Sequence, residues 1–128
     1  MPSDLCINGW ADRHDGEAAV AQALGDAGVN IEGLAGERGN GRMHVLVEDA
    51  AVARRALERA GFTVAAERPV ILRSLKARDQ PGTWGQFARR LADAGVRIEF
   101  CYLASNTRIV LGVDDVDRAT RALQVLGG

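Results

Sequence analysis

Apolar residues recur along the chain in two rhythms, and each rhythm predicts an element. Short apolar runs at Leu5-Cys6-Ile7-Asn8-Gly9-Trp10 and from Val70 to Leu75 read as strands. A helical stripe follows each. Val20, Leu24 and Ala27 make the first, weakened by Gly25, whose backbone freedom opposes helix. Trp84, Phe87, Leu91 and Ala94 make the second, and Thr83 with Gln86 reads as its capping box. Gly28 and Gly95 stand where a helix end takes a left-handed residue, so Val29-Asn30-Ile31 and Val96-Arg97-Ile98 open second strands. Met43, Val45 and Val47 alternate as a third strand, as do Ile109, Leu111 and Val113, with Ser105-Asn106-Thr107 a tight turn before the latter. Further helices are expected from Ala50 to Ala60 and from Val116 to Leu126. Their apolar faces are Val52, Ala56 and Leu57, and Val116, Ala119, Leu123 and Leu126. After Gly61, Phe62-Thr63-Val64 opens a fourth strand.

The order βαββαβ is thus followed by βαββα, and the letters repeat with it. Leu24 to Glu32 reads LGDAGVNIE and Leu91 to Glu99 reads LADAGVRIE, with seven of nine residues identical at an offset of 67. VLVEDAAVARRAL, from Val45, meets LGVDDVDRATRAL, from Leu111, at an offset of 66 with six of thirteen identical. The longer loop Glu37-Arg38-Gly39-Asn40-Gly41 accounts for the slip, and similarity that survives such an indel marks a duplicated unit. The expectation is an α+β chain of two ferredoxin-like repeats, residues 1–69 and 70–128, each with antiparallel strands. A helix with one apolar stripe buries one face, so both helices of a unit should lie on the same side of its sheet. The sequence stops at Leu126-Gly127-Gly128, so the second repeat is expected to lack its last strand. An open edge of that kind invites pairing, and a homodimer is the expected assembly.

Composition narrows the function classes. Sixteen basic and seventeen acidic residues give a net charge of −1 without a basic stripe, which speaks against nucleic acid. MPSDLCINGW lacks the basic and apolar regions of a signal peptide, and no apolar run reaches the roughly 20 residues that span a bilayer. A cytoplasmic protein that does not act at a membrane is expected. Cys6 and Cys101 fit no CxxC spacing and read as reduced residues on strands, with no metal and no cofactor implied.

A strand, then Asp-x-Pro-Gly, then a helix ending in Ala-Gly-Val-Asn-Ile, then a hairpin resembles the ACT domain. Asp79-Gln80-Pro81-Gly82-Thr83 and Ala27-Gly28-Val29-Asn30-Ile31 carry the two halves of that pattern in different copies. The resemblance covers nearly the whole chain, twice, with no catalytic domain attached. It implies a non-catalytic regulatory protein that binds a free amino acid where two units meet. It assigns Asp79, Gln80, Pro81, Gly82 and Thr83 to one side of the site, and Asn30 and Ile31 to the other. The pseudo-symmetric counterpart, Asp12, His14, Asp15 and Gly16 with Arg97, departs from the pattern: His14-Asp15 replaces Pro-Gly, and Arg97 replaces Asn. One family-like pocket and an altered twin are expected. A regulated enzyme or transcription partner is the implied target. The alternative is an ACT-fold interaction module whose ligand site is vestigial.

Backbone N–H groups at a helix start suit a carboxylate, and Asn30 can both donate and accept. Asp79 suits an ammonium, although the same residue also serves a plain turn. His14 beside Asp12 and Asp15 has the makings of an acid–base group, but a solvated loop residue looks the same in sequence. His44 is expected on the sheet face away from the helices, and Phe100 and Tyr102 beneath them. No nucleophile triad, P-loop or dinucleotide fingerprint occurs, and GERGNGR lies between strands rather than before a helix. Catalysis is therefore not expected.

Overall fold

In a computed structural model, which describes residues 2–124, the chain divides into two compact units, Met1–Pro69 and Val70–Gly128. The first runs β1 (Ser3–Asn8), a 3-10 turn (Trp10–Asp12), α1 (Gly16–Asp26), β2 (Gly33–Glu37), a second 3-10 turn (Arg38–Asn40), β3 (Arg42–Val47), α2 (Ala50–Arg59) and β4 (Thr63–Pro69). Its strands lie in the order β4-β1-β3-β2, every pair antiparallel. The second runs β5 (Ile71–Ser74), α3 (Thr83–Asp93), β6 (Ile98–Ala104), β7 (Arg108–Val113) and α4 (Val116–Gln124). Here the order is β6-β7-β5, again antiparallel.

Alternation along the strands decides which face each helix covers. Leu5 and Ile7 of β1, Met43, Val45 and Val47 of β3 and Val64 of β4 share one core with Val20 and Leu24 of α1 and Ala53 and Leu57 of α2. In the second unit Ile71, Ile109, Leu111 and Val113 pack with Phe87, Leu91, Ala119 and Leu123. Both helices of each unit therefore sit on one face. Val52 is only half-buried, because Ala53, one residue further around the helix, points at the core instead. Leu126, assigned above to the stripe of α4, lies outside the described residues, as does the end of the chain.

The repeated phrase has a physical explanation. Gly28 (φ 75°) and Gly95 (φ 77°) adopt the left-handed conformation in which a Cβ is strained. Beyond them the N–H of Val29 donates to the Leu24 carbonyl at 2.8 Å, and that of Val96 to Leu91 at 2.9 Å. Each bond satisfies a helix-end carbonyl and drops the following valine toward the core. Leu, Gly and Val recur because one turn requires all three.

Four expectations are corrected. Trp10 is not in β1: the strand ends at Asn8, Gly9 turns the chain at φ 92°, and Trp10 enters the core from the 3-10 turn. Asn30 and Ile31 precede β2 rather than begin it, since the ladder with β3 starts at Gly33. Thr83 is the first residue of α3, not its cap; Gly82 (φ 93°) holds the cap position and no side chain caps the helix. Phe100 and Tyr102 do not pack under the helices. The pairing of β6 with β7 shifts between Ile98 and Phe100, so Phe100 and Tyr102 oppose Gly112 and Val110, on the face away from Ile109, Leu111 and Val113. One extra residue in a strand reverses the facing of everything after it.

The hairpin between β6 and β7 turns on Asn106 (φ 62°) and Thr107 (φ 54°). Asn tolerates this region, but a β-branched threonine does not. Thr107→Gly should raise stability by about 1 kcal/mol in urea unfolding, because the Thr107 carbonyl that accepts from the Leu75 N–H (2.7 Å) is kept. No gain would mean that the threonine side chain contributes as much as its backbone costs.

Candidate functional site

The loop from Leu75 to Gly82 is shaped by its own backbone. The Arg78 N–H donates to Leu75, Gln80 to Arg78 and Thr83 to Gln80, at 2.8–3.2 Å, and the Thr83 hydroxyl donates to the Arg78 carbonyl. Thr83 is buried by this contact, so its hydroxyl closes the loop rather than waiting for a ligand. Between loop, α3 and hairpin lies a cavity of about 600 Å³. Arg78, Asp79 and Gln80 line one side; Leu75, Trp84, Leu103 and Ile109 supply apolar wall. Trp84 is 37% exposed: of the two places its first-turn position allows, core stripe or pocket wall, it takes the wall. Register explains Leu103: it opposes Ile109 across the ladder and so shares the helix-covered face.

Of the residues assigned to the first half-site, Asp79, Gln80 and Thr83 line this cavity. Pro81 and Gly82 are exposed and shape the approach to α3. In the first unit Asn30 and Ile31 separate. Asn30 is exposed and lines a cleft with Gly28, Glu32, Glu48 and Asp49, whereas Ile31 lines a different cavity with Trp10 and Arg38. Asp12, His14 and Asp15 are all exposed. Asp15 is held by Arg13 at 3.1 and 3.2 Å, and this hydrogen bond keeps its carboxyl below the usual range. Arg97 is exposed, with its N–H donating to the Asp114 carboxylate at 3.0 Å.

Two features were not assigned from sequence. Arg78 sits one residue before the family-like motif, and no pattern singles it out. On the helix-free face of the first unit, Asp4 is 1% exposed and its Oδ2 lies 2.9 Å from His44 Nδ1. His44 opposes Cys6 across β1 and β3, and burial, reinforced by Asp4, pushes the Cys6 thiol up. His44 thus takes the facing read from its alternation with Met43 and Val45, whereas its partner, forty positions away, is invisible in sequence. Among the described residues no cluster of His, Cys, Asp or Glu could hold a metal ion, and no helix is long and apolar enough to cross a membrane.

Antiparallel strands with helices on one face, and a loop-to-helix cavity beside a hairpin, define a mixed α/β fold. No family model and no curated protein matches the chain. Solved structures do share its fold. The regulatory subunit of aspartate kinase from Thermus flavus is 22% identical, with a TM-score of 0.66 over 97% of this chain and 91% of that one. The ligand-free regulatory subunit from Thermus thermophilus is 24% identical, with a TM-score of 0.67 over 97% and 90%. A structure of aspartokinase alpha and beta subunits gives 18% identity and a TM-score of 0.73 over 98% and 87%. At these identities the likeness is one of fold.

Proposed function

We propose that this chain is a regulatory protein of the ACT type, built from two ferredoxin-like repeats, that binds a free amino acid and acts on a separate enzyme. The observation that carries this reading is the cavity of the second unit. It sets a cation, Arg78, beside an anion, Asp79, against apolar walls. A zwitterion needs both charges, and Leu75, Trp84, Leu103 and Ile109 favour an uncharged, apolar side chain. Asn30 and Ile31 are further contacts on the strength of the resemblance, and Asp12, His14, Asp15 and Arg97 form an altered second site. Fold likeness to regulatory subunits of aspartate kinase supports an enzyme as partner, and a homodimer is the proposed assembly.

Calorimetry with the twenty amino acids tests this, with light scattering on the same samples. One apolar amino acid should bind, and Asp79→Ala and Asn30→Ala should each weaken it roughly 10- to 150-fold while leaving the protein folded. Arg97→Ala should change affinity far less. Absence of binding by every amino acid would leave the interaction module as the better reading, and loss of binding in Arg97→Ala alone would reverse the assignment of the two sites.

A further inference from the structure

The two units fill the corner between first loop, first helix and hairpin differently. In the first unit the chain itself supplies a ring. Trp10, on the loop after β1, is 2% exposed, and a Cβ on Gly36 would stand 3.6 Å from its indole. The Arg38 guanidinium lies 5.2 Å over that ring, and its Nη2 donates to Glu17 Oε1 at 2.7 Å. A cavity of about 230 Å³ remains there. At the offset of 67, Ala77 stands for Trp10, Trp84 for Glu17, Phe87 for Val20 and Leu103 for Gly36. The ladders agree, since Leu103 opposes Ile109 as Gly36 opposes Met43. The second loop, Leu75 to Gly82, carries no ring, and Trp84 in place of Glu17 leaves no carboxylate for such a clasp. Its cavity, at about 600 Å³, is the larger, although Phe87 and Leu103 are bulkier than their counterparts.

The surface this cavity offers is apolar on its hairpin side. Cys101 and Leu103 oppose Leu111 and Ile109 across the ladder, so both face the helix-covered side, and both are exposed. Among the described residues of the second unit, Trp84 and Leu103 are the large apolar side chains left exposed, Leu103 at 64%, and both line this cavity. Arg78, Asp79 and Gln80 stand on the loop side, so a ligand with its charges at the loop runs its side chain along the hairpin. Volume then decides the kind of side chain. The cavity falls within the roughly 300–1,000 Å³ of pockets for drug-sized molecules, and a small aliphatic chain leaves much of Trp84 and Leu103 against water. A ring covers both, and a ring against an indole gains more than the area it buries. We infer that the amino acid taken by the second unit carries an aromatic side chain, whose ring packs on Trp84 and Leu103 in the role that the Trp10 indole has in the first unit. This deepens the amino-acid reading above and rests on it.

Calorimetry with phenylalanine, tryptophan, leucine and 2-phenylethanol tests this. Phenylalanine or tryptophan should bind roughly 10-fold tighter than leucine, or more. Trp84→Ala should erase that preference and Trp84→Phe should keep it, a pattern that a purely structural Trp84 would not give. Cys101→Trp lets the chain supply the ring from β6, and the folded variant should no longer bind the aromatic amino acid. Leu103→Ala, at an exposed position, is the second wall variant and should also lower the preference. Circular dichroism checks that each variant folds. If leucine binds as tightly as either aromatic amino acid, the inference is overturned and the amino-acid reading stands. Aromatic binding left unchanged by Trp84→Ala and by whichever of the two strand variants folds overturns it as well. Binding of 2-phenylethanol without binding of any amino acid would remove the amino-acid reading itself, and the inference with it.

Discussion

Gly16→Ala should destabilise the protein by about 3 kcal/mol or more, the upper end of what overpacking costs. Gly16 opens α1 directly against the 3-10 turn, and a Cβ there would lie 1.8 Å from the Trp10 carbonyl oxygen. That neighbour is backbone, fixed by the N–H of Arg13, which donates to it at 3.2 Å, so it has no rotamer to escape into. Either α1 lifts or the turn carrying Trp10 breaks. Gly25 in the same helix is the control, since a Cβ there meets nothing within 4 Å. Gly25→Ala should stabilise by roughly 0.8–1 kcal/mol through helix propensity alone. Urea unfolding of the two variants separates the effects, and equal stabilities would mean that the turn yields freely.

His44→Leu should cost about 2–3 kcal/mol. Asp4 is buried on β1, and His44 is a hydrogen-bond partner at 2.9 Å; removing one member of such a pair leaves the other desolvated with less to hold it. The asymmetry gives the check. Asp4→Leu combined with His44→Leu should cost less than the sum of the two single changes, because the second removal no longer strands a partner. Chemical denaturation of the four proteins completes the cycle. Strict additivity would show that Asp4 and His44 are neighbours without coupling.

Much of the fold was legible because the signals were local. Gly28 and Gly95 announced the helix ends, and the alternation of Met43, Val45 and Val47 announced the buried face of β3. What escaped depends on partners distant in sequence. The shift at Ile98 to Phe100 exists only in the pairing of β6 with β7, so alternation with Ile98 points Phe100 and Tyr102 to the wrong face. Thr83 followed by Gln86 has the letters of a capping box, yet Gly82 takes the cap because the Thr83 hydroxyl turns back to Arg78. At the second unit's cavity a motif points to Asp79, Gln80 and Thr83, and Trp84's place in the first helical turn allows it there too, whereas Arg78 reaches it by loop shape alone. In sequence Arg38 is one letter of a glycine-rich loop, and its clasp on Glu17 spans twenty-one positions.

The ring of Phe100 covers Gly112 so closely that a methyl there would stand 2.2 Å from its carbons. Phe100 also stacks on Tyr102, with centroids 6.1 Å apart, which holds the ring over the glycine. These positions therefore constrain the order in which the sequence can drift. A side chain at 112 becomes admissible only after the ring at 100 has shrunk or swung aside, and a smaller residue at 100 uncovers bare backbone at 112. Exchange between them has one open route, with the aromatic changing first and the glycine second, so a lineage that has crossed it is not returned by one reversal alone.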